Sequence, residues 1–155
     1  MPSPKEVAAW IFQAVPEDYN LRQALADLDE DVWVARQRRK DMAPGQRVYI
    51  WLARPGGGVV AVGQIASIVE SAPAPGWQLP YRQPSVRVAA SQPEPRVRVR
   101  YSAKFLHGPL SRSFLASDPI LLARQPPIGP VYVGTNFAVG SDAEERLQAI
   151  MRGRP

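Results

Sequence analysis

The chain has no cysteine and a single histidine, His107, and only three of its 19 basic residues are lysine. Each scarcity narrows the chemistry. Without cysteine there is no disulfide, no thiolate metal site and no cysteine nucleophile. A lone histidine in Leu-His-Gly-Pro, with no acid or second ligand at metal or triad spacing, is weak ground for a catalytic or metal centre. The motifs G-x-S-x-G, the P-loop, G-x-G-x-x-G and the deaminase pattern H-x-E…P-C-x-x-C are absent. No apolar run approaches the roughly 20 residues that span a bilayer. The first fifteen residues carry one lysine and a short apolar patch, without the apolar core and cleavage site of a secretory signal. These absences lead us to expect a monomeric cytoplasmic protein with no membrane contact, no cofactor and no metal.

What is present suits one small globular domain, residues 1–155. The hydrophobic fraction of 45% is ordinary and the charged fraction of 21% slightly low. Net charge is +5, and sixteen of the cations are arginine. Arginine forks phosphate bidentately and stacks on bases, so nucleic acid is a natural partner. A genomic bias toward arginine, alanine, proline and glycine codons explains the excess equally well.

Strand signals fall at residues 8–14, 32–37, 47–53, 59–70 and 95–105, with one more in the segment Pro-Ile-Gly-Pro-Val-Tyr-Val-Gly-Thr-Asn-Phe-Ala-Val. Asn20 can cap a short helix carrying Leu21, Leu25 and Leu28. A turn of helix is expected over residues 35–42 and another near Leu110. Residues 54–58, Arg-Pro-Gly-Gly-Gly, make a permissive hairpin turn, and Gly63 marks a bulge or a close backbone approach. Residues 71–95 hold six prolines and form a long loop, a surface excursion or a lid. Ser141 and Glu144 match a capping box for the last helix. Short links make the strands mostly antiparallel. The expected fold is α+β: a small, partly closed β-barrel of five to six strands flanked by short helices.

The aromatic residues are the main functional signal. Strand alternation places Val48, Ile50 and Leu52 on one face and Tyr49 and Trp51 on the other, toward a cleft or a second layer. Trp33, Ala35 and Gln37 share a face, and a void beside Ala35 suits a flat ring unless the first helix covers it. A tryptophan in a small barrel is by default a core residue. Arg96, Arg98 and Arg100 alternate outward as a cationic strip, for a phosphate backbone or simply for solvent. Arg36, Arg38, Arg39 and Lys40 lie beside the presumptive pocket and are better placed to hold phosphates; Arg54, in the Gly-rich turn, is grouped with them. The acids Asp27, Asp29, Glu30 and Asp31 read as a solvated helix end rather than a metal site.

The blocks Trp-Ile-Phe-Gln-Ala-Val-Pro-Glu-Asp-Tyr from Trp10, Trp-Val-Ala-Arg-Gln from Trp33, residues 43–67 around Gln-Arg-Val-Tyr-Ile-Trp, and Gly-Thr-Asn-Phe-Ala-Val from Gly134 together resemble an EVE domain. That family belongs to the PUA-like superfamily, is akin to YTH domains, and includes modules of modification-dependent restriction systems. The resemblance runs from about Trp10 to Met151. It departs at Gln46, where an aspartate is common, and at Leu52-Ala53-Arg54 after the tryptophan. It implies binding of a modified base, typically a modified cytosine in DNA such as 5-methylcytosine, flipped into an aromatic cage. By motif position it makes Trp33 and Trp51 the stacking residues and Gln37 the edge reader, with Asn136 and Phe137 closing the pocket. Trp10 and Tyr19 are core or wall.

The expected function is therefore a non-catalytic reader of modified DNA that works with a separate nuclease or other effector. RNA binding is the alternative within the superfamily. A hydrolase of modified nucleosides is the rival from another class. The G-x-K-x-x-E-x-R pattern of PUA-like ASCH proteins is absent, and Gln37, Thr135 and Asn136 supply no general base.

Overall fold

The pleat of the third strand sorts the core into two layers. In β3 (Arg47–Leu52), Val48, Ile50 and Leu52 enter one buried cluster, while Tyr49 and Trp51 enter a second on the opposite face. The computed structural model, which describes residues 7–129 and 134–153, builds a mixed sheet around that strand. Its path is β2 (Glu30–Val34), β6 (Glu94–Lys104), β4 (Gly58–Ile65), β3, β1 (Val7–Ala14) and β8 (Asn136–Gly140). Two short strands hang from it: β5 (Glu70–Ala72) on β6 and β7 (Leu110–Ser111) on β4. All pairs are antiparallel except β1 with β3. That pair is parallel because helix α1 (Leu21–Asp27) and β2 intervene between its strands. This is the α+β architecture expected from the sequence, with eight strands rather than five or six.

The helices cover the two faces unequally. On one face, α1 sets Leu21, Ala24 and Leu25 against Trp10, Phe12 and Trp33, and Asn20 caps it through Gln23 N. On the other, α3 (Arg112–Leu115), α4 (Pro119–Arg124) and α5 (Ser141–Arg152) bury Leu115, Leu121, Ala143 and Leu147 around Tyr49 and Trp51. The second layer, not a cleft, therefore receives Trp51. Gly57, at φ +82°, lies so close that a Cβ there would come within 2.9 Å of the Trp51 ring. The Gly-rich turn thus serves the packing of that indole as well as the hairpin.

Three local expectations are refined. Gly63 is both a register shift and a close approach, since a Cβ would stand 2.3 Å from the Arg100 carbonyl oxygen. The capping box does not form. Strand β8 runs straight into α5, so Gly140 takes the cap position and Ser141 is already helical, while Glu144 accepts a hydrogen bond from the Tyr49 hydroxyl. The Pro-rich stretch is ordered: 3-10 turns at Gly76–Tyr81 and Pro84–Val86 and helix α2 (Arg87–Ala90) fold it over β6. Residues 130–133 of the expected last strand lie outside the described residues.

Backbone pairing does not close the sheet among the described residues, but its edges meet at one corner. Gln37, just past β2, accepts through Oε1 from the backbone N–H of Thr135 (3.1 Å) and Asn136 (2.9 Å). Asn136, opening β8, accepts through Oδ1 from Arg36 N (2.7 Å) and Gln37 N (3.2 Å), and donates Nδ2 to the Val34 carbonyl (2.9 Å). Asn136 is 3% exposed, and truncating it removes three hydrogen bonds at once. At about 1 kcal/mol per hydrogen bond, Asn136→Ala is expected to lower stability by about 3 kcal/mol. A fall in the urea midpoint at unchanged denaturant slope would measure this. A loss below about 1 kcal/mol would mean that something else joins the edges.

Candidate functional site

The corner where the edges meet opens into a cleft of about 830 Å³. Its walls come from the ends of β1 and β2, the turn carrying Arg54, the 76–90 excursion and residues 134–135. Polar and apolar surfaces alternate around it. Trp33, Val32, Ala14 and Ala90 supply apolar area, and Arg36, Arg54, Arg82 and Arg96 supply four guanidinium groups against the carboxylates of Asp18 and Glu94.

Of the residues expected to cage a base, Trp33, Gln37 and Tyr19 line this cleft; Trp10, Trp51, Asn136 and Phe137 do not. Trp33 is 6% exposed and shows only part of its ring. Its Nε1–H donates to the Tyr101 hydroxyl at 3.0 Å, and Phe12 packs at a tilt with centroids 6.0 Å apart. Trp51 and Phe137 sit in the opposite core cluster, so the pairing of Trp33 with Trp51 as two cage walls is corrected: the pleat puts them on different sides of the sheet. Trp10 is fully buried and donates Nε1–H to Gln46 Oε1 at 2.8 Å. The same oxygen accepts from Ala43 N, and the Gln46 amide donates to the Asp41 carbonyl, so this unusual residue anchors the turn before β3. Ala35 is fully buried in the core cluster that Leu21 and Leu25 of α1 join, and it does not line the cleft. Asn136 is spent on the edge-to-edge bonds.

The cation assignments divide. Arg36 lines the cleft with its side chain 56% exposed, and Arg39 and Lys40 are exposed nearby. Arg38 adopts the left-handed conformation at φ 52° and turns its Nε to Asp41 at 2.7 Å, away from the cleft lining. Arg54 lines the cleft while held bidentately by Glu17 at 2.8 and 2.9 Å. The strip Arg96, Arg98, Arg100 is broken. Arg98 and Arg100 flank Glu30 across the β2–β6 pair. Arg96 points outward as alternation requires, but the excursion folds over it and its guanidinium donates to the carbonyls of Ala72 and Ala90.

Sequence reasoning missed Asp31, Gln78 and Arg82. Asp31 is 1% exposed, not part of a solvated helix end. It accepts from the Tyr19 hydroxyl (2.6 Å), Gln78 Nε2 (2.8 Å) and Val32 N (2.8 Å). Burial pushes its pKa above the usual aspartate range, and the three donors and Arg82 oppose that rise. Burial and the Asp31 charge push the Tyr19 hydroxyl far up. Arg82 donates to Gln78 Oε1 and lies 5.1 Å above the Tyr19 ring. The even period of β2 was the available sign: Asp31 shares a face with Trp33. No group of three or more histidine, cysteine or acidic residues among the described residues is arranged to hold a metal. No helix among them is long and apolar enough to cross a membrane.

In sequence, no family model and no curated protein matches the chain. In structure it is similar to a protein of Pseudomonas syringae (TM-score 0.62, 17% identity, 92% of this chain and 99% of that one). It is also similar to human THYN1 in complex with DNA containing 5-methylcytosine (TM-score 0.58, 13% identity, 95% and 99%). An ASCH protein of Zymomonas mobilis is a third (TM-score 0.57, 12% identity, 94% and 96%). The likeness is one of fold alone, and it agrees with the α+β fold expected from the sequence.

The buried carboxylate gives a pH test. A folded-state pKa raised above the unfolded value of about 4 means that Asp31 favours folding most below that value and less as pH rises through its folded pKa. Asp31→Asn keeps acceptors for Gln78 and Val32 and cannot ionise. Its stability relative to the parent protein is expected to improve as pH rises above about 4 and to level off once the folded-state pKa is passed. Urea midpoints of both proteins across that range would show it. A difference independent of pH would contradict the raised pKa.

Proposed function

We propose that the chain is a non-catalytic nucleic-acid reader that takes a modified base, a modified cytosine in DNA, flipped from its stack into the cleft beside Trp33. The observation that carries this reading is the cleft itself. It joins an indole, an amide and four guanidinium groups in one opening of about 830 Å³, within the range of small-molecule sites. The fold adds support, because one structural neighbour with this fold is THYN1 bound to 5-methylcytosine DNA.

Each part has a chemical role in the reading. Unstacking a base costs a few kcal/mol, and contact with an aromatic wall returns about 1–3 kcal/mol. Trp33 and Tyr19 provide that wall. Gln37 has its carbonyl committed to the backbone of residues 135 and 136. Its Nε2 donor therefore remains to meet the N3 or O2 acceptors of a pyrimidine. Arg36, Arg39, Lys40 and Arg54 hold phosphates of the strand, which positions it without reading its sequence. Asp31, the one deeply buried acid near the cleft, has its oxygens taken by Tyr19, Gln78 and Val32. That favours a structural role for it over general-base work in a hydrolase. The effector is a separate cytoplasmic protein, a nuclease in a restriction setting.

Fluorescence anisotropy at fixed moderate salt tests the reading. The probes are duplexes bearing one cytosine unmodified, 5-methylated or 5-hydroxymethylated, or one N6-methyladenine, with a matching RNA. The expected result is a preference of about tenfold or more for a modified-cytosine duplex, the range one well-placed group can give. Trp33→Ala should abolish that preference while leaving salt-sensitive binding to all probes. Equal, weak binding to every duplex would overturn the reading, and tighter binding to the RNA would move it to RNA.

A further inference from the structure

The inner wall of the cleft carries more positive charge than its own partners balance. Arg36 Nη2 and Arg96 Nη2 stand 3.5 and 3.4 Å from the same oxygen, Oε1 of Glu94. Arg82 completes a group of three guanidinium ions lining that region. Arg96 is 4% exposed, and its Nη1 has no hydrogen-bond partner; the Nε of Arg82 is likewise buried and unpartnered. Burial draws the Arg96 pKa below its usual value. Glu94 opposes that fall, and the charges of Arg82 and Arg36 add to it. Buried charged donors are strongly disfavoured without acceptors; Arg96 has the carbonyls of Ala72 and Ala90 and Arg82 has Gln78 Oε1, yet Arg96 Nη1 and Arg82 Nε still lack one. An oxoanion with three acceptor oxygens supplies what is missing. Arginine forks match phosphate in both geometry and charge.

We propose that Arg36, Arg82 and Arg96 form a phosphate subsite inside the cleft, which takes the phosphate of the nucleotide whose base lies against Trp33. The place of the base rests on the reading given above; the place of the anion rests on the guanidinium cluster alone. The subsite differs from Arg39 and Lys40, which are exposed and do not line the cleft. It makes the recognised unit a nucleotide rather than a base. Arg82 links the two halves, since its guanidinium both lies over the Tyr19 ring and belongs to the anion cluster.

The test uses the whole chain and four small probes: inorganic phosphate, 5-methyl-dCMP, unmodified dCMP and 5-methyldeoxycytidine. Binding is read by titration calorimetry and by the arginine Nε resonances of the ¹⁵N-labelled protein. Inorganic phosphate should bind saturably and shift the Arg82 and Arg96 signals. 5-Methyl-dCMP should bind about tenfold or more tighter than the nucleoside, the scale of one charge-assisted interaction. Arg82→Gln and, separately, the exposed Arg36→Gln should erase that difference, with folding of each variant checked by a cooperative urea transition and an unchanged amide spectrum outside the cleft. Equal affinity for nucleotide and nucleoside overturns the subsite and leaves the base reading intact. Phosphate binding that survives both substitutions also overturns it, because the anion then sits elsewhere. If 5-methyl-dCMP and dCMP bind alike, both in an Arg82-dependent way, the subsite holds and the modified-base reading fails.

Discussion

Two side-chain amides hold the ends of the sheet together, and the cleft exists because they do. Strands β2 and β8 terminate the sheet path and have no backbone ladder between them among the described residues. Gln37 and Asn136 substitute for one. An amide carries both an acceptor and a donor, so each can imitate a peptide unit facing the opposite edge. Asn136 satisfies two N–H groups and one carbonyl of β2 and its extension; Gln37 satisfies two N–H groups at the start of β8. An aspartate at position 136 would keep the acceptor and lose the donor that Val34 needs. Joining the edges in this way leaves an opening where a full ladder would have filled the space. It also fixes Trp33, Arg36 and Gln37 opposite residues 134 and 135.

The excursion over β6 supplies the other wall. Without it Arg96 would be one of three solvated arginines on an outer sheet face. With it, Arg96 is trapped between the carbonyls of Ala72 and Ala90, and Gln78 is brought onto Asp31. A buried polar network of this kind contributes little net stability when satisfied and is costly when broken, so it specifies one docking of the loop. Asp31, Tyr19, Gln78 and Arg82 form that network in a chain of bonds from β2 to the 76–81 turn. The loop's position, and with it the shape of the cleft, is set by polar matching more than by apolar burial.

Much of this was legible in the sequence where one strand determines the answer. Alternation separated Val48, Ile50 and Leu52 from Tyr49 and Trp51, and it put Val97, Val99 and Tyr101 inward, as found. It could not say which side of the sheet would hold the cleft, because that depends on where α1 and the last three helices pack. Trp51 and Phe137 were therefore grouped with Trp33 by motif order and proved to lie across the sheet from it. Gln37 was singled out as an edge reader of a base and Asn136 as a residue closing the pocket, whereas Asn136 and the Gln37 carbonyl bond backbone across the sheet edges. An amide at the end of an edge strand looks the same in sequence whether it meets a base or a backbone. Arg96 was assigned to the right face, but proline-rich sequence has no periodicity from which to read what would cover that face.

Under the proposed reading, affinity and selectivity arise from different walls, and this separation follows from magnitudes. A methyl group buried on a pyrimidine contributes about 1 kcal/mol, an apolar term that salt barely touches. Contacts from arginine to phosphate depend on counterion release and weaken steeply with salt. The cleft places its apolar surface at Trp33, Val32 and Ala14 and its guanidinium groups at Arg36, Arg82 and Arg96. Raising salt should therefore strip away binding shared by all nucleic acids before it erodes discrimination between a modified and an unmodified base. A cleft with one modest aromatic wall cannot obtain high affinity from the modification alone. Its charged walls must hold the strand while the indole and the amide choose the base.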